Sequence, residues 1–122
     1  MSSEAAVSGQ HWLVEFRGAR GLADVEFVRR SLHHAVTAAP ATLLRLELHH
    51  FGAGMGVAGM ALLAESHISI HTWPEHGYAA IDLFMCGTAA SPGRALSALE
   101  AAFLPASVEV RRFARGFSTG AV

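Results

Sequence analysis

The sequence contains only one cysteine, Cys86, and almost no excess of charge of either sign. A single cysteine excludes an internal disulfide framework. Nine basic and ten acidic side chains nearly cancel, and the formal net charge is -1 at pH 7. The chain therefore lacks the basic footprint that binding to a phosphate backbone requires, and nucleic acid is not an expected partner.

Long apolar runs and a secretory signal are also missing. The longest apolar stretches are interrupted by Gly, His, Glu or Ser well before the roughly 20 residues that a membrane span needs. The N-terminal segment MSSEAAVSGQ has neither the basic nor the long apolar part of a signal peptide. We therefore expect a cytoplasmic protein with no membrane partner.

The chain does contain enough apolar material for one core. Hydrophobic residues make up 52% of its 122 residues and charged residues 16%, a balance typical of a single folded domain. We predict one domain over 1–122, with a flexible leader at 1–10.

Hydrophobic periodicity predicts two helices among several strands. An amphipathic helix is expected over about 22–37, and a second helix opens at Ser91 and Pro92, an N-cap followed by a first-turn proline. Period-two alternation predicts strands in HWLVEFRG, ATLLRLELHHF, MALLA, HISIHTW, YAAIDLFMC and SVEVRRF. The segment GAGMGVAG is expected to be a turn or bulge. Short connections favour antiparallel neighbours, so we predict an α+β fold: a two-layer sandwich with a mainly antiparallel sheet and both helices on one face.

Eight histidines raise the question of a metal site. His67 and His71 have the four-residue spacing of zinc-binding helices, but HISIHTW alternates like a strand, which lacks that helical geometry. His49 or His50 could add a ligand, yet no third ligand is identified at a suitable place. We therefore predict no metal site.

Cys86 has two interpretations. A lone cysteine is most often a small buried apolar side chain. The alternation of YAAIDLFMC instead puts Cys86 on the same face as Tyr78, Asp82 and Phe84. A thiol beside polar groups is a candidate for proton transfer.

The Glu65–Ser66 peptide suggests a chemistry other than hydrolysis. A hydrolase is disfavoured because Ser66 lacks a G-x-S-x-G elbow and the chain is short. In a strained turn, the Ser66 hydroxyl can attack the Glu65 carbonyl and convert the amide to an ester. Removal of the serine α-proton then expels Glu65, and tautomerisation and hydrolysis leave a pyruvoyl group. Such a ketone can form a Schiff base with a substrate amine and accept electrons during decarboxylation, as pyridoxal phosphate does. The residues alone leave this as one option among several.

The segment ESHISIHTWPEHGYAAIDLFMCG resembles the signature of the bacterial and archaeal S-adenosylmethionine decarboxylases, small pyruvoyl-dependent enzymes of spermidine biosynthesis. The resemblance extends more weakly through GQHWLVEF, HHF, GVAG and the second helix, so it covers nearly the whole chain. It implies S-adenosylmethionine as substrate and self-cleavage into a β chain of 1–65 and an α chain of 66–122. It also implies an antiparallel sheet backed by helices, and dimers of cleaved protomers with active sites at the interface.

The same resemblance implies the catalytic roles of three residues. Ser66 becomes the covalent pyruvoyl cofactor after cleavage of the Glu65–Ser66 bond. His71 serves as the proton acceptor in processing, and Cys86 donates a proton to the substrate carbon after decarboxylation.

Four further residues match substrate-binding positions of the resembled family. Glu75 corresponds to an acidic residue on the ribose hydroxyls, a role that suits a carboxylate acceptor. Phe51 corresponds to an aromatic residue that stacks on the adenine across a dimer interface. The substrate-binding residues implied are Glu75, Phe51, Trp73 and Glu15.

Strand alternation has a consequence for Ser66. It puts Ser66 on the face of Ile68 and Ile70, opposite His71. We therefore expect Ser66 at a turn or bulge between MALLA and HISIHTW, where the strain needed for peptide rearrangement could be stored.

The chain departs from the resembled family at a few positions. Ala58 occupies a position that is usually serine, and His76 one where tyrosine is common, while FGAGMG is unusually rich in glycine. Two alternatives therefore stay open. One is the same chemistry on a basic amino acid such as arginine or ornithine, and the other is an unprocessed, non-enzymatic regulatory subunit.

Overall fold

The computed structural model describes residues 8–87 and 89–116. In chain order the elements are β1 (Gly9–Arg17), α1 (Val25–Ala38), β2 (Leu43–His50), β3 (Val57–Leu63), β4 (Ser66–Trp73), a 3-10 turn (Pro74–His76), β5 (Tyr78–Cys86), α2 (Pro92–Phe103) and β6 (Ser107–Arg115). Neither helix in these ranges is long and apolar enough to cross a membrane.

The strands form one six-stranded sheet in the order β2-β3-β4-β5-β1-β6. Every neighbouring pair in this sheet is antiparallel. The helices pack against each other and on one face of the sheet, where they bury a core that includes Phe16, Leu32, Ile81 and Phe103. The predicted two-layer α+β sandwich is confirmed.

Burial along the strands alternates with period two. In β5 every second side chain, from Ala79 to Met85, is buried. The alternate side chains, from Tyr78 to Cys86, are partly exposed. Cross-strand partners share a face, so the partly exposed positions of β4 and β5 lie on one surface. We call this helix-free surface the open face. It includes the side chains of His67, Ser69, His71, Asp82, Phe84 and Cys86.

The helix boundaries follow from their caps. The Asp24 side chain accepts a hydrogen bond from the Phe27 N–H (3.1 Å), so α1 begins at Val25 and not at residue 22 as predicted. Ser91 accepts from the Arg94 N–H (3.2 Å) ahead of Pro92, as predicted for α2.

Two further predicted boundaries are wrong. Gly9 and Gln10 belong to β1, because both pair with β5 and β6, so the predicted leader 1–10 is too long. Residues 1–7 lie outside the described residues. The glycine-rich turn is shorter than expected: residues 52–56 form it, with positive φ at Gly52 and Gly54, and β3 already begins at Val57.

Candidate active site

Ser66 lies directly after a tight hairpin turn. Ala64 and Glu65 form the turn between β3 and β4, and Ser66 is the first residue of β4, opposite Leu63 on one side and Met85 on the other. Its φ is 154°, a value that residues other than glycine rarely adopt and that costs about 1–3 kcal/mol. The turn expected before Ser66 is present, and the adjoining backbone is strained.

Both ends of Glu65 are hydrogen-bonded. Its carbonyl oxygen, on the peptide that joins it to Ser66, accepts from the Cys86 N–H at 3.0 Å. Its carboxylate accepts from the Thr42 N–H (3.0 Å) and from the Thr42 hydroxyl (3.2 Å). Sequence reasoning missed Thr42, because nothing in the local pattern connects it to a residue 23 positions away.

The Cys86 side chain is half-buried at the end of β5. It lies opposite Gly9 of β1, and a Cβ atom at Gly9 would come within 2.7 Å of the Cys86 sulfur and 3.1 Å of Phe84. Gly9 is thus a second residue that sequence reasoning missed. As predicted, Cys86 shares its face with Asp82 and Phe84. We call Glu65, Ser66 and Cys86 the hairpin group.

A second set of candidate residues lies farther along β4. The His71 ring is sandwiched between Phe51 (ring centroids 5.7 Å apart, planes at 8°) and Trp73 (4.2 Å, 10°). A cavity of about 250 Å³ is lined by these three side chains together with Glu75 and neighbouring residues. We call Phe51, His71, Trp73 and Glu75 the aromatic group.

Close backbone packing positions the Phe51 loop. A Cβ atom at Gly56 would lie 2.1 Å from the Thr72 carbonyl oxygen, so only glycine fits there. The buried Thr72 hydroxyl accepts from the Val57 N–H (2.8 Å) and donates to the Leu22 carbonyl (2.7 Å). Ala58, where the resembled family usually has serine, pairs directly with His71 across β3 and β4.

Within one chain the two groups are well separated. Ser66 and His71 are five residues apart on β4, which corresponds to roughly 16 Å at about 3.3 Å per residue. Cys86 lies beside the Ser66 end of the strand, because Met85 pairs with Ser66. The Met85 side chain is buried on the helix side, whereas Cys86 faces the open side. A single chain therefore brings the backbones of Ser66 and Cys86 together, and it does not bring Ser66 to His71.

Glu15 belongs to a hydrogen-bonded cluster near the aromatic group. Tyr78 donates its hydroxyl hydrogen to Glu15, and Arg111 lies 3.4 Å from the other carboxylate oxygen. The hydrogen bond to Glu15, with burial second, raises the pKa of Tyr78. The Tyr78 ring also stacks on Trp73, with centroids 5.2 Å apart. Glu15 is thus linked to the aromatic group and lies away from Ser66.

His67 lies on the open face between the two groups. Its ring contacts those of His11 and Phe84 edge-on, and His11 lies 3.8 Å from Asp82. Burial lowers the pKa of His67, the nearby His11 lowers it further, and Asp82 opposes both. Among the residues that the structure describes, no cluster of three or more His, Cys, Asp or Glu side chains could hold a metal ion.

Comparison with known proteins defines the class of this fold. The model of the S-adenosylmethionine decarboxylase family matches residues 10–116. A solved structure of an adenosylmethionine decarboxylase from Aquifex aeolicus superposes with a TM-score of 0.85, at 34% identity, covering 93% of this chain and 95% of that one. The fold and the matched span define a decarboxylase.

Relatives from bacteria and archaea agree with this assignment. A protein of Thermomicrobium roseum named S-adenosylmethionine decarboxylase proenzyme is 42% identical over 108 residues, covering 88% of this chain and 93% of the relative. A proenzyme of the same name from Methanococcus vannielii is 44% identical over 110 residues, covering 88% and 89%. The chain belongs to the S-adenosylmethionine decarboxylase family.

Proposed function

We propose that this protein is a self-cleaving, pyruvoyl-dependent enzyme that converts S-adenosylmethionine to decarboxylated S-adenosylmethionine and CO2 for spermidine biosynthesis. The observation that carries the proposal is the Glu65–Ser66 bond. It follows a tight turn, its carbonyl oxygen accepts from the Cys86 N–H, and Ser66 has a strained φ of 154°. A peptide that is both polarised and strained is suited to rearrangement.

Self-cleavage would proceed through an ester. The Ser66 oxygen attacks the Glu65 carbonyl carbon, the C–N bond breaks, and the nitrogen takes up the hydroxyl proton. Negative charge that develops on the carbonyl oxygen is stabilised by the Cys86 N–H, 3.0 Å from that oxygen in the intact chain. Removal of the Ser66 α-proton then expels Glu65 as a carboxylate. The remaining dehydroalanine tautomerises and takes up water, and it releases ammonia to leave a pyruvoyl group on residue 66.

The residues around Ser66 fit such a group. Ser66 is partly exposed at the start of β4 and pairs with Met85, the residue before the half-buried Cys86, so a substrate and a proton donor could both reach position 66. When formed, the pyruvoyl group supplies a ketone that condenses with the substrate amine and accepts the electron pair left by departing CO2. The Cys86 thiol would then protonate the substrate carbon.

The aromatic group would bind the nucleoside part of the substrate. Phe51, His71 and Trp73 stack beside the cavity, and the exposed ring of Phe51 (49%) offers a surface that suits a purine ring. The exposed Glu75 carboxylate, at the edge of the same cavity, can accept hydrogen bonds from two ribose hydroxyls.

A symmetric dimer would unite the two groups. Large apolar side chains are exposed on the open face, among them Met60 (47%), Leu62 (45%) and Phe113 (52%), as expected of a surface that a partner covers. In a two-fold interface, each contact between one region and another occurs twice. A two-fold axis between the groups would therefore set each hairpin group against the partner's aromatic group. His71, too far from Ser66 in its own chain, would then take the α-proton from Ser66 of the partner subunit.

Intact mass under denaturing conditions tests the proposal. We expect two chains divided between Glu65 and Ser66, the second with a pyruvoyl N-terminus in place of serine. The cleaved protein should release CO2 from carboxyl-labelled S-adenosylmethionine and not from arginine or ornithine. A single full-length chain after long incubation would contradict the proposal and support a regulatory subunit, and release from a basic amino acid would change the substrate.

A further inference from the structure

The Glu65 side chain makes contacts that the proposed chemistry does not use. Its carboxylate accepts hydrogen bonds from the Thr42 N–H at 3.0 Å and from the Thr42 hydroxyl at 3.2 Å. The Ala64 N–H, in the same turn, donates to the Thr42 carbonyl at 2.9 Å. Three hydrogen bonds thus tie the two turn residues to one threonine, just before β2.

These bonds hold Glu65 from the side opposite to Cys86. The carbonyl end of Glu65 is bonded to the last residue of β5, and its carboxylate end to the residue preceding β2. With both ends held, the peptide between Glu65 and Ser66 has little freedom to rotate. Release of the carboxylate would let the turn relax and the carbonyl leave the Cys86 N–H.

We propose that Thr42 is a positioning residue for self-cleavage, which holds the Glu65 side chain so that the Glu65 carbonyl stays on the Cys86 N–H. The inference rests on the proposed self-cleavage and goes beyond it. Thr42 touches none of the reacting atoms and acts only through the Glu65 side chain. Its hydroxyl therefore affects how fast the chain is cut and not the chemistry that follows.

The first test compares cleavage rates of fresh precursor made by cell-free synthesis, followed by denaturing mass spectrometry. Thr42→Val removes one hydroxyl from an exposed residue and keeps its shape. We expect it to slow cleavage about fivefold, as for one ordinary hydrogen bond whose whole effect falls on the barrier. Thr42→Ser should restore the rate. Thr37→Val is the matched control, because Thr37 is also exposed and its hydroxyl bonds only to a carbonyl within α1.

A double-mutant cycle separates positioning from general stabilisation of the turn. Glu65→Ala removes the carboxylate that accepts the hydrogen bonds from Thr42. It should therefore slow cleavage as much as or more than Thr42→Val does. If Thr42 acts through the Glu65 side chain, Thr42→Val should have no further effect on the cleavage rate in the Glu65→Ala background. Hydroxylamine, which cleaves esters, should not speed cutting of the Thr42→Val precursor, because positioning limits the step that forms the ester.

Two results would overturn the inference while the proposed function stands. One is cleavage of Thr42→Val at the wild-type rate, and the other is equal slowing by Thr42→Val with and without the Glu65 side chain. Failure of the proposed function itself is distinguishable, because the wild-type chain would then stay whole or divide at another bond.

Discussion

The hairpin group and the aromatic group lie at different places along β4 and are held by different interactions. Hydrogen bonds hold the hairpin group, in which the Glu65 carbonyl accepts from the Cys86 N–H and the Glu65 carboxylate accepts from Thr42. Ring stacking holds the second group, in which His71 lies between Phe51 and Trp73 on an exposed surface. Under the proposed function, a bond that breaks only once can be held by hydrogen bonds on both sides, whereas a group that receives a substrate needs exposed side chains.

The largest effect is expected for variants of Ser66 and His71, which test whether one chain supplies both the hairpin group and the aromatic group of a site. Ser66→Ala should never be cleaved, because no hydroxyl can attack Glu65, and His71→Ala should stay whole for lack of its base. Co-expressed in equal amounts, the two variants should pair in about half of the dimers. The His71→Ala chain in those dimers should then be cleaved, because its partner supplies His71. Intact mass distinguishes the two variants.

The control for this experiment is co-expression of His71→Ala with a chain that carries both substitutions. That mixture has no His71 and should remain uncut. Cleavage of His71→Ala on its own at the wild-type rate would contradict the role of His71. An uncut mixture of the two single variants would contradict the shared site.

The next largest effect separates the backbone of Cys86 from its thiol. Cys86→Ala keeps the N–H that bonds to the Glu65 carbonyl and removes the thiol that we propose as proton donor. We expect cleavage to proceed while turnover falls about a hundredfold, the usual effect of losing a general acid. Turnover is followed by CO2 release, with Ser69→Ala, also on the open face, as control. Unchanged turnover would remove the thiol from the mechanism.

A change confined to the aromatic group should alter binding alone. Glu75→Gln replaces the carboxylate that we propose as acceptor of the ribose hydroxyls by an amide. The KM for S-adenosylmethionine should rise about tenfold, with kcat and cleavage unchanged. Glu47→Gln, at an exposed carboxylate paired with Arg45, is the control. A fall in kcat at constant KM would be inconsistent with a role in binding.

A smaller effect is expected from crowding the thiol. Gly9→Ala would add a Cβ atom 2.7 Å from the Cys86 sulfur, closer than ordinary van der Waals contact, so the Cys86 side chain must move away. We expect turnover to fall about fivefold, less than on removal of the thiol. Gly93→Ala is the matched control, because its Cβ would meet nothing closer than 3.7 Å. Equal turnover in both variants would show that the position of the thiol is unimportant.

The smallest effect concerns pH. Burial lowers the pKa of His67 below the ordinary 6.5, so the unfolded chain binds a proton at higher pH than the folded chain does. The free energy of unfolding should therefore be highest above about pH 6.5 and should decrease as the pH falls below that value. The decrease should be only a few tenths of a kcal/mol, because solvent screens this partly exposed ring. His67→Gln should reduce the decrease in urea midpoint between pH 7.5 and 5.5, whereas His33→Gln in α1 should not. An equal decrease in both variants would exclude His67 as the cause.

Much of the fold could be predicted from local patterns. The alternation in YAAIDLFMC became β5 with Cys86 on the open face, and the Ser91-Pro92 pair became the start of α2. Boundaries were less predictable. The predicted leader included Gly9 and Gln10, which are strand residues only because β5 and β6 lie on either side of them.

The candidate site was predictable only in part, because its contacts are remote in sequence. The signature around Ser66 and Cys86 points to the chemistry, yet no pattern indicates that Thr42 holds Glu65 or that Gly9 packs on the Cys86 thiol. Ser66 and His71 also belong to the same signature, whereas their positions on β4 are roughly 16 Å apart in one chain.

The sequence by itself determined the order and approximate positions of the strands and helices and which family the chain resembles. These properties depend on residue type and on short-range order, because periodicity and a Glu-Ser peptide can be recognised from the order of residues along the chain. Only the tertiary structure decided that Glu65 is held between Thr42 and Cys86, and that Gly9 packs on the Cys86 thiol. Contacts between strands depend on pairing across the sheet, and a straight strand separates residues that are close in sequence.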